Sequence, residues 1–319
     1  MTYVIIHALA PIFVIMLLGF YAGKTKMVDN QNVALLNIFV MDFALPAALF
    51  SATVQTPWVG IVQQSPLIVV LVLAMWIAWL AIYFLSTRVF KKTPQDAAVL
   101  TLTVALPNYA ALGLPILGSV LGESSATSLS VAASIACGSV LMTPFCLLIL
   151  EREKAREAGG NQKASLAMLP VLMWRSVIKP IVWGPLLGVV LSAIGVSMPE
   201  LVLSAIKPLG LAATAAALFL TGVILSARKL KINAAVTLSS LTKLLIQPLI
   251  AWGLVLALGL HGSLAITSIL MIALSAGFFG VVFGNRFGVQ SPDAEATLLV
   301  SSVLCIVTLP LFISLTSGM

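Results

Sequence analysis

The chain has 319 residues, of which 61% are hydrophobic and 8% charged, and its formal net charge is +7. Soluble globular domains carry about 25% charged residues, so a soluble enzyme and a nucleic-acid-binding domain are both excluded. An all-α polytopic membrane protein is expected, with its basic excess in loops on one side of a bilayer.

Ten apolar spans of roughly 20–25 residues fit the length. They are expected at 3–22, 32–54, 65–88, 97–121, 126–149, 174–196, 199–226, 234–258, 262–287 and 294–316. The first lacks a charged leader and a small-residue cleavage site, so it reads as a retained helix and not a signal peptide. Lys24 and Lys26 follow span 1, and Arg88, Lys91 and Lys92 follow span 3. Arg152, Lys154, Arg156, Lys163, Arg175 and Lys179 surround the link between spans 5 and 6. Arg228, Lys229 and Lys231 follow span 7, and Arg286 closes span 9. The alternate connections and both ends carry no Lys or Arg. The positive-inside rule then makes the odd-numbered connections cytoplasmic and places both termini outside.

The charged, glycine-containing stretch at 151–173 reads as a cytoplasmic linker. It divides the chain into two five-span halves, 1–150 and 174–319. Five is an odd number, so the halves must be inverted relative to each other. Similar features recur in both. Span 2 has AALF at 47–50 and span 7 has it at 216–219, while Pro144 ends span 5 and Pro310 stands at the corresponding place in span 10. Cys137, Cys146 and Cys305 all lie in apolar spans, which implies neither a disulfide framework nor a metal site. His7 and His261 have no ligand-spaced partner, and no metal or other cofactor is expected.

Span 4, VLTLTVALPNYAALGLPILGSVL at 99–121, holds Pro107 and Asn108 at its middle. Proline removes a donor and clashes with the preceding turn, so the helix should break there. Freed backbone groups in hydrocarbon cost several kcal/mol unless protein or water satisfies them. A break therefore implies a protein-lined polar site at membrane depth, with Pro107, Asn108, Tyr109 and Ala110 beside it. The half-helix that follows would present amides and a partial positive charge to a carboxylate. Gly113 and Pro115 shape that half-helix. In the corresponding place of span 9, Ser275, Ala276, Gly277, Phe278 and Gly280 make the backbone small and weakly helical, as a crossing requires. Paired interrupted helices in inverted repeats point to a transport site.

APIFVIMLLGFYAGK (10–24), LNIFVMDFALPAALF (36–50), LPNYAALGLP (106–115) and SAGFFGVVFGNRFG (275–288) resemble the auxin efflux carrier family of plant and bacterial organic-anion transporters. Within it the chain looks most like the malonate carriers of bacteria. The resemblance implies a scaffold of spans 1, 2, 6 and 7, a moving domain of spans 3–5 and 8–10, and substrate beside the crossing of spans 4 and 9. It also implies the bacterial inner membrane. The short central loop, and a break reading Leu-Pro-Asn with no proline in span 9, depart from the plant carriers and weigh against auxin.

Ionisable groups inside spans are costly and mark function or pairing. Asp42 in span 2 reads as a proton-coupling carboxylate and Lys207 in span 7 as a substrate attractor, or the two form a neutralising structural pair. Asn37 is a further substrate-binding candidate. Lys243 and Gln247 share a face of span 8, and Lys243 is expected to snorkel to the cytoplasm. Arg286 is read in the same way. With no phosphate-binding loop, the expected activity is cation-coupled import of a small dicarboxylate such as malonate, protons being favoured over sodium. The alternative is an exporter or uniporter of another organic anion, for instance an auxin-like monocarboxylate. The expected partners are that carboxylate, membrane lipid and a second copy of the chain, docked through LAATAAA at 211–217.

Overall fold

A computed structural model describes residues 2–157, 170–171, 174, 177–227 and 231–319. These form twelve principal helices: α1 (Thr2–Lys24), α2 (Ala34–Val54), α3 (Ser65–Arg88), α4 (Pro94–Ala105), α5 (Tyr109–Leu121) and α6 (Ser125–Lys154), then α7 (Pro180–Ala193), α8 (Glu200–Ser226), α9 (Ala234–Ala257), α10 (Gly262–Ala273), α11 (Phe279–Arg286) and α12 (Pro292–Thr316). Among the described residues there is no strand beyond one isolated bridge. Six continuous helices of the described residues are long and apolar enough to cross a membrane, those containing α2, α3, α6, α8, α9 and α12. The stretches expected as spans 4 and 9 each divide into two helices, α4–α5 and α10–α11. Most of the linker falls outside the described residues, as do Lys163, Arg175, Arg228 and Lys229.

Local chemistry sets the helix starts. The Thr93, Ser124 and Asn233 side chains accept hydrogen bonds from the Asp96, Thr127 and Val236 amides, capping α4, α6 and α9. Among the described residues, four wide, π-type turns interrupt the regular helix, at Phe39–Ala44, Tyr109–Gly113, Gly138–Met142 and Thr242–Ile246. Each is followed two residues on by a proline, Pro46, Pro115, Pro144 or Pro248. A proline ring cannot donate to the carbonyl four residues back and presses against it. Widening the turn by one residue relieves that clash.

Glycines let the helices approach backbone to backbone. A Cβ on Gly19 would overlap Phe219, one on Gly222 would overlap Met16 and Phe20, and one on Gly23 would overlap the Ser226 side chain, so α1 and α8 run parallel in close contact. Gly184 abuts Pro46, and Gly188 abuts Thr53 and Phe50, which seats α7 parallel to α2. Antiparallel to α8, α2 brings Ala48 to Gly210, and Asn30 Nδ2 donates to Ser226 Oγ at 2.8 Å. A second body forms where α3 packs on α4, α9 and α10, and α12 packs on α4, α9 and α10.

The odd-numbered connections converge. Lys92 Nζ lies 2.9 Å from Asp96 Oδ2 and 2.5 Å from Asp293 Oδ2, while Asn233 Nδ2 donates to Asp293 Oδ1 at 2.7 Å. Ser291 Oγ also donates to Asp96 Oδ1. This latch joins the starts of α4, α9 and α12. Burial alone would lower the Lys92 ammonium, but the hydrogen bonds and charges of Asp293 and Asp96 outweigh it and hold its pKa above the ordinary 10.5. Lys179 stacks over Phe283 at 4.5 Å, adding the fifth connection to the same side.

Candidate functional site

The two breaks cross. α4 stops at Ala105 and α10 at Ala273, and Pro107 and Ala276 form an antiparallel bridge between the extended segments. The Asn108 amide donates to Ser275 O at 2.9 Å. The Gly277 amide donates to Leu106 O at 2.8 Å and to Thr103 O at 3.0 Å, and the Ala276 amide donates to Ser301 Oγ at 3.1 Å. Each break thus satisfies the other's backbone, as a low-dielectric interior demands. Tyr109 N turns back to Pro107 O at 2.8 Å. The amides of Asn108 and Tyr109 are therefore engaged within the protein, and what α5 can offer an anion begins one residue later.

Glycine makes the approach feasible. A Cβ on Gly277 would overlap Leu106 O, and one on Gly280 would overlap Val99 O and the Thr103 side chain, with Thr103 N at 2.7 Å. Gly284 lies against Val99 in the same way. The three form a stripe that seats α11 on α4. Gly113 faces Val131 of α6, where a Cβ would lie 2.9 Å from Cγ1. Pro115 follows the wide turn that opens α5.

Asn108 is 2% exposed, and neither its Oδ1 nor its Nδ2 meets a hydrogen-bond partner. Such a group costs about 1–3 kcal/mol of desolvation. Ser275 Oγ is likewise buried without a partner. Tyr109, Ala110, Ala276 and Phe278 are buried around them, and the opening turn of α5 packs on α8. Donors and acceptors without partners at a helix break are the chemistry of a polar ligand site.

Lys243 requires a correction. It does not snorkel: it is fully buried, donating to Gln247 Oε1 at 2.7 Å and to Ile272 O at 3.0 Å. Gln247 Nε2 in turn donates to Ala105 O at 2.8 Å. One face of α9 therefore caps the last carbonyls of both α10 and α4, the groups a helix C-terminus leaves open. The i, i+4 spacing placed the pair on one face, but their depth beside two breaks was the signal that the snorkelling reading missed. Thr103 O and Ser301 were likewise not singled out.

Asp42 and Lys207 are not brought together. Both are exposed and form no ion pair with each other. The antiparallel register, with Asn30 at Ser226 and Ala48 at Gly210, puts them about eight residues apart along the axis, roughly 12 Å. Asp42 lies in the wide turn of α2, which packs on α7 and α8, and Asn37 is half-buried a turn earlier. No hydrogen bond joins Asp42, Asn37 or Lys207 to the crossing. The side chains of His7, Asn285 and Arg286 fall outside the described ones. In the small-residue stretch 211–217, Ala213 and Ala217 are buried within the protomer, while Leu211 and Ala215 are exposed. A cavity of about 210 Å³ lies between α2, α7, α3 and α6, lined among others by Thr53, Gln64, Cys137 and Pro185.

The family model described as membrane transport protein matches residues 4–313. The chain is 29% identical over 309 residues to the transporter YfdV of Escherichia coli (strain K12), covering 96% of this chain and 95% of that one. It is 26% identical over 305 residues to a Rhizobium meliloti (strain 1021) protein named "Putative malonate transporter", covering 93% and 91%. A transporter of Methanothermobacter thermautotrophicus is 25% identical over 305 residues, covering 94% and 95%.

Proposed function

This chain belongs to the membrane transport protein family, that of the auxin efflux carriers, and from that premise we propose that it imports a small dicarboxylate, malonate foremost, through the bacterial inner membrane. It is a multi-pass membrane transport protein and not an enzyme. The observation that carries the proposal is the Asn108 amide, buried at the crossing with both polar atoms unpartnered. A carboxylate seated there accepts from Asn108 Nδ2 and from the amides that open α5 and α11, whose helix ends each carry about half a positive charge. The malonate relative supports the substrate class.

Ten spans in two inverted halves account for the contacts. Exchanging span n for span n+5 turns the parallel pair α1–α8 into the parallel pair α2–α7, and it exchanges the two broken helices. The scaffold is α1, α2, α7 and α8. The moving body is α3–α6 with α9–α12, and the cavity at Thr53 and Gln64 lies on their boundary. Convergence of the odd-numbered connections supports a cytoplasmic latch side with both termini outside.

With the interior negative, a dianion moves inward against about 2.3 kcal/mol per charge per 100 mV, or roughly 4.6 in all. Cotransported cations must supply this, and protons are favoured, with Asp42 as a carrier on the scaffold. The test is labelled-malonate uptake into proteoliposomes under proton, sodium and voltage gradients imposed singly. Proton-driven accumulation abolished by Asn108→Ala is expected. No uptake under any gradient by folded protein would overturn malonate. Unchanged proton dependence in Asp42→Asn would remove Asp42 from the coupling.

A further inference from the structure

Two half-helices, α4 and α10, end side by side against α9. Each C-terminus carries about half a negative charge, so together they present about one unit in a membrane interior where charge must be balanced. The balance stands in the chain itself. Lys243 is fully buried, its Nζ 3.0 Å from Ile272 O, and through Gln247 it is linked to Ala105 O. No carboxylate lies within ion-pairing distance of it among the described residues. The neighbouring titratable group is the Cys305 thiol of α12, which points at Ala273 O.

We propose that Lys243 is a built-in counter-cation: its ammonium neutralises the two half-helix C-termini where a free carrier would need a bound sodium ion, so transport proceeds without sodium. The arrangement divides the crossing by charge. Lys243 cancels the negative ends, and the positive ends that open α5 and α11 are left for the anion. The inference rests on the transporter reading but not on malonate as its substrate. It also places Lys243 as a positioning residue, acting on substrate through the helix ends.

The experiment compares thermal unfolding of the purified full-length protein in sodium chloride and in choline chloride at equal ionic strength. Wild type should unfold at the same temperature in both. Lys243→Ala should unfold several degrees lower in choline, and sodium should recover part of the loss by reaching the vacated carbonyls. Sodium stabilisation of the wild type would overturn the proposal, as would a folded Lys243→Ala indifferent to the cation. Lys243→Ser, which adds a hydroxyl ligand, is the second variant, and the wild-type comparison needs no variant. Neither salt arm contains substrate, so failure of malonate uptake and failure of this inference are separately visible.

Discussion

The two breaks meet at one point but are built from different materials. The first uses proline and asparagine, Pro107 to end α4 and Asn108 to place an unpartnered amide in the interior. The second contains no proline. Its segment, Leu274–Phe278 between α10 and α11, is held open by hydrogen bonds to the first break and to Ser301, and its glycines provide room where the other carries chemistry. On the proposed function, one break bears the substrate site at a cost to stability. The other bears the packing that makes the crossing feasible.

Breaking that division on the packing side gives the largest effect. At Gly280, Val99 O and Thr103 N are backbone atoms that cannot move aside. Gly280→Val should therefore cost about 3 kcal/mol or more, the upper end of overpacking, seen as loss of monodisperse protein in detergent. Gly253, with no atom within 4 Å of an added Cβ, is the control. Gly253→Ala should hold or gain up to about 1 kcal/mol from helix propensity. Gln247→Leu comes next. It leaves Ala105 O without its donor and Lys243 without one acceptor, a loss of about 1–3 kcal/mol measured as a lower unfolding temperature.

The latch at Lys92 is smaller again. The Lys92 pKa is raised, so its stabilisation is fully present below its ordinary 10.5 and is lost as pH rises through the higher folded value. Wild-type unfolding temperature should therefore be level near neutrality and fall only in strong alkali. Lys92→Met removes the cation and leaves Asp96 and Asp293 facing each other. It should cost about 1 kcal/mol at neutral pH, measured as a lower unfolding temperature. A variant that unfolds at the wild-type temperature would show the latch to be incidental.

The first break was legible because proline and asparagine declare themselves at mid-span. Hydropathy located the six helices long and apolar enough to cross a membrane among the described residues, and α3 begins and ends at the expected residues, 65 and 88. The second break was legible only by position, since Gly277 and Gly280 are also what ordinary helix packing selects. The wide turns went unread. Pro46, Pro115, Pro144 and Pro248 each follow one, but Pro185, Pro208 and Pro310 lie inside regular helix, so proline alone does not specify the turn. Lys243 was misjudged because burial of a charge depends on carbonyls from α4 and α10, 138 and 29 residues away in sequence. Asp42 and Lys207 looked like a pair because their spans are repeat partners, but the antiparallel register separates them.

The sharpest version of the comparison predicts the smallest change in stability. Asn108→Ala removes a buried amide with no partner, which relieves about 1–3 kcal/mol of unmet desolvation. It also opens a small cavity, whose cost for a truncated buried side chain is of similar size. The two oppose, so the unfolding temperature should move by less than the equivalent of about 1 kcal/mol, while uptake is lost. A residue that merely shaped the break would behave otherwise, since the backbone bond from Asn108 N to Ser275 O survives the substitution and would keep transport intact. Loss of stability on the scale of Gly280→Val would show that Asn108 is bonded in the resting protein and would return it to the packing side of the division.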